Sequence, residues 1–421
     1  MYQKVKGTYD VLPNESPYWQ FLEQKIREIC AIYNFSEVRT PILEHYEVIH
    51  RVNEDSDMVK KQTYDFKDLS DRLLTLRPEQ TAGIIRAYVE NKLYANQDIS
   101  KFYYIGPNFR YERPQKGRFR QFSQFGVEAL NSDSYLLDAE IVALAYNFIK
   151  SLGINEIKVE INSIGDSQNR IEFRKTLVEY FTSYTELLCD DCKNRLLTNP
   201  LRILDCKVCS KEPFFKNAPS PLNYLNNESK ERFDKVLEEL ENANIDYVVN
   251  PNLVRGLDYY DHTVFEIVSY SEELSHLALG GGGRYSSLVK ELGGPDITGI
   301  GFAFGMERLL LALNNSNLIN IVPPLLDVYL LVTTNYPYKI SLLQDLRKNN
   351  ITVETNYTVG SFKNMFIKAL NKNPKYILIA GEDEFKNNTI TVKNLSTRTE
   401  EIVKKTNIIK YLKKELKTKK G

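Results

Sequence analysis

An arginine, two carboxylates, a glutamine and an aromatic ring recur at alternating positions in one stretch, FYYIGPNFRYERPQKGRFRQFSQFGVEALN, from Phe102 to Asn131. Read as strand, polar loop and strand, its first run from Phe102 to Glu112 puts Tyr104, Gly106, Asn108, Arg110 and Glu112 on one face. The second run, Gln121 to Leu130, puts Phe122, Gln124, Gly126 and Glu128 on one face and Ser123, Phe125 and Val127 on the other. The first of these faces is too polar for a core, and the second is apolar enough to pack. The loop between them carries Arg113, Lys116, Arg118 and Arg120, spaced by Pro114 and Gly117. A basic loop above a polar sheet face suits a triphosphate or the end of a nucleic acid.

Four further runs hold residues of the same kind. Leu73–Thr81, LLTLRPEQT, reads as a strand entering a helix, with Glu79, Gln80 and Thr81 at the helix start, where a carboxylate also complements the helix dipole. The run from Leu253 to Glu266 spends Arg255, Asp258, Tyr259 and Tyr260 within six residues before a strand, more than a surface loop needs. Gly280 to Gly283 followed by Arg284 and Tyr285 lets backbone approach a ligand closely. GIGFAFGMERLLLAL, from Gly299, is a small-residue strand entering an apolar helix that carries Arg308 in its first turns. Separately, Cys189 and Cys192, then Cys206 and Cys209, form two C-x-x-C pairs, the sequence form of a four-thiolate structural Zn²⁺ site; the alternative is four reduced thiols.

The stretch FRYERPQKGRFRQFSQFGVE resembles motif 2 of the class II aminoacyl-tRNA synthetases in its histidyl-tRNA synthetase form, and RGLDYY is similar to that family's histidine-specific run. The helix and strand up to Pro41–Glu44 resemble motif 1, which implies a homodimer, and GFAFGMERLL resembles motif 3. The family's usual Glu-Gly-Thr at residues 79–81 has Gln80 in its middle here, and Ser286 stands where an acid or Asn often follows Arg-Tyr. The resemblance implies that ATP and L-histidine, with Mg²⁺, give histidyl-adenylate, which then passes to the histidine tRNA. It implies Arg110 and Arg255 at the α-phosphate as the catalytic pair and Arg308 at the outgoing phosphates. Phe122 is expected to stack the adenine and Glu112 to read its amino group. Glu128 and Tyr260 are expected at the imidazole nitrogens, Glu79, Thr81 and Gln124 at the α-amino group, and Gln80 and Tyr259 elsewhere in the histidine pocket. Arg113 and Gln115 match the positions that read the extra guanosine at the 5′ end of that tRNA. Two alternatives remain at this level. One is the non-catalytic regulatory subunit of ATP phosphoribosyltransferase, which shares the catalytic fold but usually lacks the C-terminal domain and the adenylation residues. The other is a tRNA-binding or stress-sensing module without turnover.

At 421 residues the chain is long enough for two or three domains. Lys+Arg and Asp+Glu balance at 55 each, so any nucleic-acid contact must come from local patches such as the 113–120 loop and the Lys-rich tail after Lys404. Hydrophobic content of 42% and charged content of 26% are those of a soluble globular protein, and no apolar run is long enough to span a membrane. The N-terminus MYQKVKGTYDVLP does not read as a signal peptide, and cysteine usage suits a reducing, cytoplasmic setting. Ser16-Pro17 reads as a helix start with Ser as N-cap, followed by Leu22, Ile26, Ile29 and Tyr33 at helical spacing, then an extended run Glu37–Glu44. A helix is expected over Leu137–Leu152 and a strand over Ile157–Ile161. A mostly helical insertion is expected at about 166–250, and after a Pro323-Pro324 linker strands and helices alternate, with a hairpin about Asn387-Asn388 and a final basic helix. The expected fold is α+β: a class II antiparallel-sheet catalytic domain over 1–325 with that insertion, and a C-terminal α/β anticodon-binding domain over 326–421.

Overall fold

The computed structural model describes residues 2–51, 56–96, 98–115, 117–255, 259–274, 277–316, 318, 326–333 and 339–417. Lys116, Gly256, Asp258, the Pro323-Pro324 linker and Tyr338 lie outside the described residues. The chain separates into two compact units, Met1–Asn320 and Ile321–Gly421.

The first unit is built on an eight-stranded sheet. Its strands run, edge to edge, Ser36–Glu37, Ser100–Phe109, Gln121–Leu130, Gly299–Gly305, Ala278–Tyr285, Tyr260–Ser269, Ile157–Ser163 and Tyr247–Val249. The six central strands pair antiparallel and the two edge strands pair parallel. Register sets the chemistry of the sheet. Asn108 faces Phe122, Gly106 faces Gln124, Tyr104 faces Gly126 and Phe102 faces Glu128, so the polar positions of both strands share one face, as the alternation predicts. The first strand stops at Phe109 rather than Glu112, although Arg110 N–H still donates to Arg120 O at 2.8 Å.

The opposite face of the sheet is the core. Phe125, Val127, Phe302 and Phe304 are buried there against the helix Tyr135–Ser151, and Phe125 meets Phe148 edge-on at 4.9 Å. The helix Ser16–Ile32 lays Leu22, Ile26 and Cys30 on the same core, with Glu15 rather than Ser16 at its N-cap. The extended run Glu37–Glu44 is split. Ser36–Glu37 pairs with the main sheet and Leu43–His45 joins a small three-stranded sheet, with Pro41 between them lacking the N–H that would continue a ladder. Arg77 fastens the break, donating to Thr40 O at 2.8 Å and, from Nε, to Pro107 O at 2.9 Å.

A separate cluster gathers Phe173, Leu177, Phe181, Cys192, Ile203, Phe214 and Phe215 from the helices Ser167–Thr182 and Asp190–Thr198 and the short turns after them. The later part of the expected insertion behaves differently. The helix Asn227–Asn242 buries Phe233, Val236 and Leu240 in the main core, and Tyr247–Val249 is an edge strand of the main sheet.

The second unit is a five-stranded mixed sheet in the order Val353–Thr355, Val328–Val332, Tyr376–Ala380, Thr389–Asn394, Glu400–Lys404, the first three parallel and the rest antiparallel. Helices Lys339–Lys348 and Ile408–Lys417 pack on one side, Phe362–Asn371 on the other. The hairpin connects Asn394 to Glu400, further on than Asn387-Asn388. Asn388 instead turns the chain with φ +51° after the short helix Glu382–Lys386.

Candidate active site

The polar face of the main sheet forms the floor of a cleft of about 340 Å³. Residues far apart in sequence line it, among them Glu79 and Thr81, Arg110 and Glu112, Phe122, Gln124 and Glu128, Arg255, Tyr259, Tyr260 and Glu266, the glycine strand from Gly280, and Arg308. Phe122 to Glu128, Tyr260 to Glu266 and the glycine strand lie on strands of the sheet, so the backbone ladder holds them in register before any ligand arrives.

The deepest acid is Glu128. Its Oε1 accepts from Thr81 Oγ1 and its Oε2 from Tyr285 OH, each at 2.7 Å. Gly301 lies across the ladder from it, and a Cβ there would overlap the carboxylate. Burial pushes the Glu128 carboxyl up to about 8, against the pull of those two hydroxyls. Around it stand Tyr104, Tyr259, Tyr260 and Tyr285. Burial raises the phenols of Tyr104, Tyr259 and Tyr285 well above their ordinary range and that of Tyr260 to about 12, so all four are neutral donors at physiological pH.

Glu79 closes the start of the helix Thr81–Glu90, accepting from Thr81 N–H at 2.5 Å and Ala82 N–H at 3.0 Å. Burial raises its carboxyl despite those bonds. Glu79 also lines the cleft. Gln80 turns the other way. Its Nε2 donates to Gly106 O at 3.2 Å, and it is not among the residues that line the cleft. Gln124, inside the cleft, accepts from Asn108 Nδ2 at 2.6 Å.

Five of the described arginines line the cleft: Arg110, Arg118, Arg202, Arg255 and Arg308. Arg110 donates from Nε to Pro78 O at 2.8 Å and lies over the Phe122 ring, 5.1 Å from its centroid. Arg308 donates to Ala278 O at 3.0 Å. Burial lowers the pKa of both, yet a guanidinium remains charged at any physiological pH. Arg255 forms an ion pair with Glu266 on the strand Tyr260–Ser269. Burial works against its charge, but Glu266, Tyr260 and Asp205 outweigh it and hold the pKa above the usual value. Arg284, by contrast, sits under the sheet. It is fully buried, donates to Asp138 Oδ1 at 2.7 Å and to Ser132 O at 2.9 Å, and belongs to the frame.

The loop over the cleft is tied down from the N-terminus. Arg120 N–H donates to Gly7 O at 2.8 Å, Tyr9 packs on Phe119 at 4.7 Å, and Tyr9 OH donates to Glu307 at 2.6 Å. Glu307 also accepts from Ser123 N–H at 2.7 Å. Arg113 and Gln115 are exposed at the loop's far end, where Gln115 and Arg118 exchange backbone bonds of 3.2 and 2.9 Å. They do not line the cleft.

The four cysteines come together in the insertion. Their sulfurs lie within 4.8 Å of one another, with Cys189 and Cys206 at 3.7 Å, and all four are free thiols. Backbone N–H groups of Cys189 and Cys209 point at sulfurs of Cys209 and Cys206, each at 3.4 Å. A tetrahedral four-thiolate zinc with bonds of about 2.3 Å needs sulfurs roughly 3.8 Å apart, so the donor set fits.

Tyr104, Tyr285 and Glu266 are cleft residues to which the sequence alone assigned no role. Tyr104 stood on the polar face by alternation, and Glu266 closed the Arg255 run. Tyr285 closed the glycine run, but its bond to Glu128, 157 residues away, could not be read there.

A family model described as Histidyl-tRNA synthetase matches residues 7–166 and 216–309, and one described as Anticodon binding domain matches 327–415. The histidine–tRNA ligase of Acholeplasma laidlawii is 52% identical over 405 residues, 96% of each chain. The apo histidyl-tRNA synthetase of S. aureus superposes with a TM-score of 0.83 at 37% identity, covering 98% of this chain and 100% of that one. A Bacillus halodurans structure titled as an ATP phosphoribosyltransferase regulatory subunit/histidyl-tRNA synthetase gives a TM-score of 0.65 at 22% identity, covering 90% of this chain and 98% of that one, and shares the fold.

Proposed function

This chain belongs to the histidyl-tRNA synthetase family, and we propose that its sheet-floored cleft is where histidine and ATP become histidyl-adenylate. The enzyme charges tRNA(His) with histidine, and ATP with Mg²⁺ is its second substrate. The observation that carries the residue assignments is the convergence of Arg110, Arg255 and Arg308 over a floor whose deepest group is Glu128.

The first step joins the α-carboxylate of histidine to the α-phosphorus of ATP and expels pyrophosphate. The carboxylate is already ionised at neutral pH, so the step needs alignment and charge stabilisation rather than a base. Arg110 and Arg255 meet the charge that grows on the α-phosphate, with forked donors that match its oxygens. Arg308 holds the outgoing phosphates. Mg²⁺ would supply counter-charge to those phosphates, and Glu266 is a cleft carboxylate near Arg308 that would help hold it. Phe122 stacks the adenine and Glu112 accepts from its amino group. Glu128 and Tyr260 take the two imidazole nitrogens, beside Tyr259, and Glu79, Thr81 and Gln124 take the α-amino group. A side chain without ring nitrogens would forfeit the bonds to Glu128 and Tyr260 in a buried site, and selectivity follows from that cost. In the second step the 3′-terminal hydroxyl of the tRNA attacks the adenylate carbonyl and AMP leaves.

The same proposal covers the domains and partners. Residues 1–325 form the catalytic domain and 326–421 the anticodon-binding domain, and Arg113 and Gln115, exposed at the hairpin loop, read the tRNA 5′ end. The chain acts in the cytoplasm as a homodimer. The exposed apolar side chains Ile42, Leu43, Phe66, Leu69 and Leu73 around the three-stranded sheet support the dimer. One Zn²⁺ on Cys189, Cys192, Cys206 and Cys209 braces the insertion. The regulatory-subunit alternative has less support, since the adenylation residues and the C-terminal unit are both present. ATP–pyrophosphate exchange with each of the twenty amino acids tests the reading. Exchange with histidine alone is expected, and a folded protein without exchange would revive the alternative.

A further inference from the structure

Tyr9 does not line the cleft, yet it bears on two residues that do, Phe119 and Glu307. Its ring packs on Phe119 at 4.7 Å, with Trp19 of the helix Ser16–Ile32 stacked on it at 6.2 Å. Its hydroxyl donates to Glu307 Oε1 at 2.6 Å, and the same oxygen accepts from Ser123 N–H at 2.7 Å. That second bond stands where a strand runs out. Gly299–Gly305 pairs with Gln121–Leu130 only as far as Gly305 opposite Gln124. The next N–H along, that of Ser123, is taken by the Glu307 carboxylate in place of a ladder carbonyl. This N–H belongs to the rigid peptide plane that joins Phe122 to Ser123, so fixing it fixes the backbone that carries the Phe122 ring. Burial pushes the Glu307 carboxyl up, and the Tyr9 hydroxyl is one of the donors that pull against it. The segment before Tyr9 is itself anchored. Gly7 O accepts from Arg120 N–H, and Arg120 O accepts from Arg110 N–H, each at 2.8 Å. Gly7 has φ +88°, and a Cβ there would come within 2.7 Å of the Arg120 side chain, so the close approach needs glycine.

We propose that Tyr9 is a positioning residue for the adenine of ATP: through Glu307 and Phe119 it holds the Phe122 ring where that ring stacks the base. The inference rests on reading Phe122 as the adenine seat. Arg308, the residue after Glu307, is held separately, by its bond to Ala278 O at 3.0 Å. The strap from Gly7 to Tyr9 therefore serves the base end of ATP and not the phosphate end. Tyr9 touches no substrate, so its effect is one of affinity for the adenine nucleotide and not of rate.

The test compares full-length wild type with Tyr9→Phe, which deletes only the hydroxyl, and with Phe122→Ala. Histidine-dependent ATP–pyrophosphate exchange gives KM for ATP, histidine and pyrophosphate. Calorimetric titration with AMP gives a Kd that does not depend on the active fraction of the protein. In Tyr9→Phe the KM for ATP and the Kd of AMP should each rise about 5-fold, part of the roughly 10-fold or more that a bond to a charged acceptor is worth in full. KM for histidine, KM for pyrophosphate and kcat should stay at their wild-type values, the pattern of a lost binding contribution. Phe122→Ala should weaken AMP binding further than Tyr9→Phe does. A purely structural Tyr9 would give the reverse pattern, a lower melting temperature and less active enzyme with KM for ATP and Kd of AMP unaltered, and that result overturns the proposal. A rise in KM for pyrophosphate with AMP binding unaltered also overturns it, since the hydroxyl would then act through Arg308 on the phosphates. Failure of the underlying reading shows separately: Phe122→Ala would bind AMP as wild type does, and the adenine seat and the strap's role in it would fall together.

Discussion

Replacing Glu128 with Gln removes one charge from the floor of the cleft and little else. Gln occupies the same volume, and the hydroxyls of Thr81 and Tyr285 that now donate to the carboxylate can each donate or accept, so the pocket stays satisfied. Two consequences separate. In the empty enzyme the carboxyl is raised from an ordinary 4.5 to about 8 by burial. Folded protein therefore binds more protons than unfolded protein between those pH values. The stability tied to this group is fully present below about 4.5 and is lost as pH rises through about 8. The 3.5 pH units between the two values, at about 1.4 kcal/mol each, set an upper limit of about 5 kcal/mol, and an open cleft that admits water delivers less. Thermal melts of ligand-free protein from pH 5 to 9 should thus show a downward slope in Tm that Glu128→Gln flattens, leaving the variant more stable by several degrees at pH 8.5. With histidine present the order reverses, because the variant loses a charge-assisted bond to the imidazole N–H, roughly 1.5–3 kcal/mol, which is a 10- to 100-fold rise in KM for histidine. An unchanged KM would take Glu128 out of the imidazole contact. An unchanged pH slope would mean the carboxylate is solvated and ionised in the empty cleft.

Other outcomes follow from the same geometry. Protein purified without chelator should carry one zinc per chain, and chelation should lower the melting temperature of the first unit; absence of zinc with unaltered melting refutes the thiolate site. Arg113→Ala should spare ATP–pyrophosphate exchange and slow aminoacylation of intact histidine tRNA by roughly 10-fold or more, the value of a bidentate guanine contact, since the residue is exposed on the loop outside the cleft. Equal loss in both assays would place it in the adenylation site instead.

Much of this site was legible in the sequence because alternation in an antiparallel pair is a two-residue code. Once Phe102–Glu112 and Gln121–Leu130 are read as strands, Arg110, Phe122, Gln124 and Glu128 fall on one face without any knowledge of the partner strands. What the code omits is anything that depends on contact across long loops. Tyr285 reaches Glu128 only because two strands far apart in sequence flank Gly299–Gly305, and Arg255 meets Glu266 because the loop folds back on its own strand. Gln80 lies outside the cleft lining. Its position between Glu79 and Thr81 suggested a place in the pocket, but at a helix start successive side chains diverge, and this one is taken by Gly106 O. The helix Asn227–Asn242 was placed with the insertion on composition, since its charged surface hides a buried stripe of Phe233, Val236 and Leu240 that belongs to the main core.

The role of Arg255 is the most exposed point of the account. Its guanidinium is paired with Glu266 in the cleft. The deciding measurement is pre-steady-state formation of histidyl-adenylate by Arg255→Ala, on protein shown by melting to be folded, with Arg255→Lys alongside. Loss of a cation that acts mainly as charge develops on the α-phosphate should lower the rate by about 10² to 10³-fold with little change in KM for ATP, and Lys should restore only part. A folded Arg255→Ala enzyme that forms adenylate at the wild-type rate would contradict it.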